Sequence, residues 1–145
     1  IIFINRMNHK NLFNFLKNNI SYMILPSISE GISGVILESM TLGIPTISSK
    51  IHCTDEIIID EYNGLFFEYK NYEQYCDKIY TNFNIILNNI CKYDDENRNN
   101  LVKILLKTFK NDELYYKLSN NCLKYMENFI DNRNSLNVLE FFDLN

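Results

Sequence analysis

The sequence predicts an α/β fold, a parallel sheet with helices packed over it, followed by an all-helical tail. Three observations carry that expectation. Short apolar, β-branched runs alternate with segments of helical periodicity through the first half of the 145 residues. The connections between them are short, and strands joined through helices in this way run parallel. From Asn71 onward the strand-like runs stop, and apolar residues recur only at helical spacing.

Element by element, "IIFI" (1–4) reads as a buried strand and Asn5 to Asn8 as a turn. "HKNLFNFLKNN" follows as a helix, with Leu12, Phe15 and Leu16 at helical spacing. "ISYMIL" (20–25) is a second strand, stopped by Pro26. "SISEG" is a loop, and "SGVILESMTLG" fits a helix with Ser33 at its N-cap and Gly43 as its C-terminal stop. "IPTIS" (44–48) is a third strand, "CTDEIIID" a loop with a short helical turn, "EYNG" a turn and "LFF" (65–67) the last strand. "NYEQYCDKIYTNFNIILNN", "ENRNNLVKILLKTF" and "DELYYKLSNNCLKYMENFI" read as helices, with "SLNVLEFF" as a further one. "DDE" at 94–96 reads as a solvated surface turn. The expected division is a core over 1–70 and a helical extension over 71–145, packed on the same domain.

At 46% hydrophobic and 22% charged residues the chain is globular rather than disordered. A net charge of −4 argues against a nucleic-acid partner. No apolar run approaches the roughly 20 residues of a membrane span, and no basic-then-apolar leader is present. Cys53, Cys76, Cys91 and Cys122 form no C-x-x-C pair, and only His9 and His52 could join them, so no metal site is expected. Scattered reduced thiols suit a cytoplasmic protein. The chain opens on Ile1 rather than Met, with a strand at its edge, which suggests a piece of something longer.

Residues 25–48 hold three of the four glycines and both prolines. Residues 20–62 contain no asparagine in a chain otherwise rich in it, although loops ordinarily welcome Asn. In open parallel sheets ligands bind beyond the carboxyl ends of the strands, where Pro26 to Ser33 would lie. A helix amino end presents unpaired N–H groups and partial positive charge, which suits a phosphate. Gly31 and Gly34 remove side chains where a ligand would come closest to the backbone. Glu38, in the second turn, should lean back over Gly34 and could accept two hydroxyl hydrogens, as a ribose diol offers. Glu30 faces the same place from the preceding loop. Hydroxyls and phosphates together describe a nucleotide-sugar. Equally, a Glu in a helix's first turns stabilises it without any ligand, and a Glu before a glycine is often solvated loop. Spacing alone leaves both readings open. The lack of G-x-G-x-x-G or a P-loop lysine argues against a dinucleotide enzyme or an NTPase.

"PSISEGISGVILESMTLGIPTISS" resembles the E-x7-E region of glycosyltransferase family 4, retaining enzymes of the GT-B fold. The matching residues are Pro26-Ser27, Glu30-Gly31, Val35-Ile36-Leu37, Glu38-Ser39-Met40, Gly43 and Ile44-Pro45. Upstream "FINRMNHKNLFNFLKNNISYMILPS" and downstream "DEIIIDEYNGLFFE" are similar to the family's flanking segments, so the likeness covers residues 1 to 68. It implies the second, Rossmann-like domain of a GT-B fold with its opening strands missing. Carried over by position, Glu30 would be the catalytic residue, holding the transferred sugar near the reacting carbon. Glu38 would bind the ribose hydroxyls, and the backbone N–H groups of Gly31, Ile32, Ser33 and Gly34 the sugar and diphosphate. Asn5, Arg6 and Met7 would lie near the base.

The resemblance further implies no cofactor and no metal; a UDP- or GDP-linked sugar is substrate. A glycan or lipid acceptor would be held by a missing N-terminal domain or a separate chain. The full protein would be cytoplasmic or peripherally attached to the cytoplasmic face of a membrane, with polysaccharide or glycolipid assembly as the common setting. His52 and Cys53 stand where the family often has two glycines, Lys50 reads as a solvated loop residue, and residues 89–110 look like an extra helix and loop. A non-catalytic or decayed nucleotide-sugar-binding module is the alternative reading.

Overall fold

A computed structural model describes residues 2–27, 31, 33–51, 53–69 and 95–131. The helices expected at 71–89 and 135–142, together with Glu30, Ile32 and His52, lie outside the described residues.

Helix α1 (His9–Asn19) begins where Asn8, in extended conformation, accepts the Asn11 N–H at 2.9 Å, and it ends as Ile20 turns extended. Its buried stripe is Phe13 and Leu16, whereas Leu12 and Phe15 are only half-buried. The expected stripe of Leu12, Phe15 and Leu16 is thus rotated, because Phe13, three residues before Leu16, shares its face. Strand β1 (Met23–Leu25) is shorter than the expected run at 20–25. β2 (Thr46–Ser49) and β3 (Gly64–Phe67) pair with it in a parallel sheet of order β1-β2-β3. Leu25, Ser48 and Phe66 stand in register, as do Ile24, Ile47 and Leu65.

Residues 2–4 form no strand, contrary to the expectation for "IIFI", and Ile2 and Phe3 are 89% and 93% exposed. A strand holds only where neighbours take up its N–H and C=O groups. Among the described residues β1 pairs only with β2, and no strand takes up the groups of residues 2–4.

Helix α2 (Gly34–Thr41) carries the chain from β1 to β2 and buries Ile36, Leu37 and Met40. It stops at Gly43, φ +69, where the Gly43 N–H bonds Met40 O at 3.0 Å and the Ile44 N–H bonds Ser39 O at 2.9 Å. That is the paired closure of a Schellman turn, and the positive φ is why glycine ends this helix. Gly64 has a different cause. A Cβ there would lie 2.6 Å from the Thr46 carbonyl oxygen, so the approach of β3 to β2 admits only glycine.

Between them, Asn63 is fully buried and fully engaged. Its Oδ1 accepts the Ile59 N–H at 2.7 Å, its Nδ2 donates to Ile57 O at 3.1 Å, and its carbonyl accepts the Cys122 thiol at 3.0 Å.

Helices α3 (Asp95–Thr108) and α4 (Asp112–Asp131) cover the sheet. Asp95 and Glu96 lie in the first turn of α3, and Asp95 pairs with Arg98. The expectation of a surface turn is corrected there: acidic residues complement a helix amino end. One core cluster joins Ile36, Leu37 and Met40 to Ile57, Ile58, Cys122 and Met126. The other joins Ile47, Leu65 and Phe67 to Leu118, with Leu101, Ile104 and Leu105 against it. α4 therefore contributes to both faces of the sheet, and the helices share their cores with the strands.

Gly64→Ala should cost about 2 kcal/mol or more of stability, because the nearest atom is backbone and cannot swing aside; chemical denaturation measures it. Burial pushes the Cys122 thiol up to about 12. Native Cys122 should therefore resist alkylation at pH 8 and label once the chain is unfolded, as peptide mapping would show.

Candidate functional site

Because only residues 20–22 join α1 to β1, the amino end of α1 lies at the carboxyl end of the sheet. The amino end of α2, entered from β1, lies at that same end. Two helix starts therefore share the region where open parallel sheets bind ligands.

The strand exits beneath them are pinned by hydroxyls. Ser49 Oγ donates to the carbonyl of Ser27, beyond β1. Ser48 Oγ lies 3.2 Å from Leu25 O and 3.0 Å from Ser49 O, and its single hydrogen serves one at a time. Thr54 Oγ1 accepts the Ile51 N–H at 3.2 Å and lies within 3.0 Å of the carbonyls of Ser49 and Ile51. Ser48, Ser49 and Thr54 are fully buried. Sequence reasoning missed this set. The signal was present: consecutive serines closing a buried strand must find partners.

Ser33 takes the N-cap position of α2, as expected, but its side chain makes no cap hydrogen bond. The Ser33 backbone carbonyl accepts the Ile36 N–H at 3.1 Å, but its hydroxyl takes none of the leading amides, and this helix end keeps its partial positive charge. Gly31 and Gly34 are exposed, and a Cβ on either would meet no atom within 4 Å. Unlike Gly43 and Gly64, they are not required by packing. Open space lies on their side.

Glu38, one turn further along α2, has a side chain 21% exposed, with Oε1 3.2 Å from His9 Nε2. His9 opens α1 and rests against Phe13, ring centroids 4.8 Å apart. Asn5 and Arg6 are exposed and Met7 is half-buried, all within four residues of His9. The fold thus brings residues 5–7, which form no turn of the expected kind, together with Glu38 and the start of α2 at one end of the sheet. Glu30 and Ile32 lie outside the described residues. Lys50 is exposed and Cys53 half-buried. His9 was not singled out from sequence except as a candidate metal ligand, and among the described residues no group of three His, Cys, Asp or Glu could hold a metal. No helix among them is long and apolar enough to cross a membrane.

A cavity of about 560 Å3, lined by Tyr22, Thr108, Phe109 and Tyr115 among others, opens at the opposite, amino end of the sheet. It is remote from these groups by topology.

Residues 1–84 match the family described as glycosyl transferases group 1. Over 59 residues the chain is 39% identical to an uncharacterized glycosyltransferase of Methanocaldococcus jannaschii, a match taking in 41% of this chain and 17% of that protein. In three dimensions it is similar to the C-terminal domain of a glycosyl transferase group 1 family protein, LpcC, from Francisella tularensis. That likeness has a TM-score of 0.54 and 23% identity, and covers 88% of this chain and 52% of the other. The matches span well under two thirds of either relative. The structural likeness carries the fold: the parallel sheet and flanking helices are those of a Rossmann-like GT-B C-terminal domain.

Ser49→Ala should lower stability by about 1 kcal/mol through the lost bond to Ser27. Amide exchange at Ser27 should quicken more than in α4 as that bond is lost; equal change in both would remove its local role.

Proposed function

The chain belongs to the glycosyl transferases group 1 family, and we propose on that premise that it is the donor-binding part of a retaining glycosyltransferase. Its donor is a UDP- or GDP-linked sugar and its acceptor a glycan or lipid, held by a further domain or a separate chain. The setting is the cytoplasm or the cytoplasmic face of a membrane.

The observation that carries this reading is the start of α2: an N-cap serine that does not cap, beside two glycines facing open space, with the Glu38 carboxylate a turn away. Phosphate oxygens would take the first amides of α2, ahead of the Ile36 N–H that Ser33 already accepts, and the ribose hydroxyls would donate to Glu38. Glu30 would hold the transferred sugar. During transfer the bond between the anomeric carbon and the phosphate oxygen breaks, and its electron pair leaves with the diphosphate. Preorganised amides stabilise that growing charge without reorganising. The acceptor oxygen bonds the anomeric carbon from the same face, and its proton passes to the departing phosphate. No separate protein base is required.

Calorimetry of UDP- and GDP-sugars against the intact protein tests the assignment. Glu38→Ala should weaken binding about tenfold or more, the worth of a hydrogen bond to a charged group. Glu30→Ala should leave nucleotide binding nearly unchanged and cut transfer by about a hundredfold or more. Normal binding and transfer in both variants would remove these roles. A protein that binds donor but transfers to no acceptor is the non-catalytic module instead.

A further inference from the structure

His9 meets Glu38 from a different helix, 29 residues away in sequence. The imidazole is itself held. Asn8 fixes the start of α1 through the Asn11 N–H, and the ring tilts 51° against Phe13, which is 6% exposed. A glutamate side chain left alone would sample several rotamers, and ordering it on ligand binding costs free energy. A ring anchored in this way and bonded to Oε1 spares that cost. The carboxylate has about four acceptor positions, so one bond to His9 leaves Oε2 and part of Oε1 for other donors. An exposed ion pair contributes little stability by itself, which makes stability alone a poor reason for the contact.

We propose that His9 is a positioning residue: its Nε2–H holds the Glu38 carboxylate in the orientation that receives the ribose hydroxyls of the donor. This rests on the donor-site reading above.

Glutamine reproduces the reach of Nε2, four bonds from Cα, whereas asparagine reproduces that of Nδ1. The experiment is calorimetric binding of UDP and GDP, and of their 2′-deoxy counterparts, to the intact protein and its variants. Wild type should prefer the ribose form of its better nucleotide by about tenfold, the worth of one charge-assisted hydrogen bond. His9→Ala and His9→Asn should reduce that preference to about threefold or less, and His9→Gln should restore it. Thermal melts of each variant report any general loss of stability, which by itself would not change the ribose preference.

If Glu38→Ala loses the preference while His9→Ala and His9→Asn keep it, the donor site stands and the role of His9 is overturned. If wild type shows no preference, or Glu38→Ala retains it, the donor-site reading and this inference fall together. Should His9→Ala not fold, the Asn and Gln pair decides alone: equal preference in both overturns the proposal.

Discussion

β2 has no solvent side. All four of its residues are buried, yet three of them carry hydroxyls. A polar group taken from water into such a place must be bonded inside the protein or destabilise it. Ser48 and Ser49 meet that demand by bonding the backbone at the exit of β1, which ties the loop leading to α2 to the centre of the sheet. Thr46 is the exception, its hydroxyl finding no partner among the described residues. On the other flank, β3 comes so close that Gly64 is the only residue its position admits. The sheet is narrow, but its middle strand fixes where everything around it begins and ends.

The candidate site inherits its geometry from that strand. β1 and β2 emit their chains at one level, and parallel connectivity places both helix starts above them. The start of α2 sacrifices a side-chain cap worth about 1 kcal/mol in other helices. Elsewhere the same chain caps carefully: Asn8 closes the start of α1 and Asn111 accepts the Leu114 N–H at 3.1 Å ahead of α4. Of the two helix starts at that end of the sheet, only that of α2 goes without a side-chain cap.

Much of this was legible beforehand. Gly43 as a helix stop, Ser33 at a helix start and the strand–helix alternation follow from local backbone chemistry, which a sequence states directly. The extent of β1 and the absence of a strand at residues 2–4 did not, because a ladder is decided by neighbours and not by propensity. The rotation of the α1 stripe towards Phe13 escaped for a related reason: several apolar residues could form the stripe, and the fold selected among them. In the candidate site, the exposure of Gly31 and Gly34 and the place of Glu38 near the start of α2 follow from local pattern, whereas the sequence left their role open. His9 and the serines of β2 were not found in this way. Their roles arise from contacts across 22 to 29 residues of chain, which no local pattern encodes.

The engaged asparagine ahead of β3 has a consequence for the protein's age. Asn followed by Gly is prone to deamidation: the next backbone nitrogen attacks the side-chain carbonyl, ammonia leaves, and a succinimide opens to aspartate or isoaspartate. Folded, Asn63 cannot turn its amide onto Gly64, because both ends of that amide are occupied. Each unfolding excursion releases it. An acid formed there would return to a fully buried place, where the donor to Ile57 is gone and a charge is costly. The fold thus guards against its own chemical decay only while it is intact, and time spent unfolded leaves an irreversible mark.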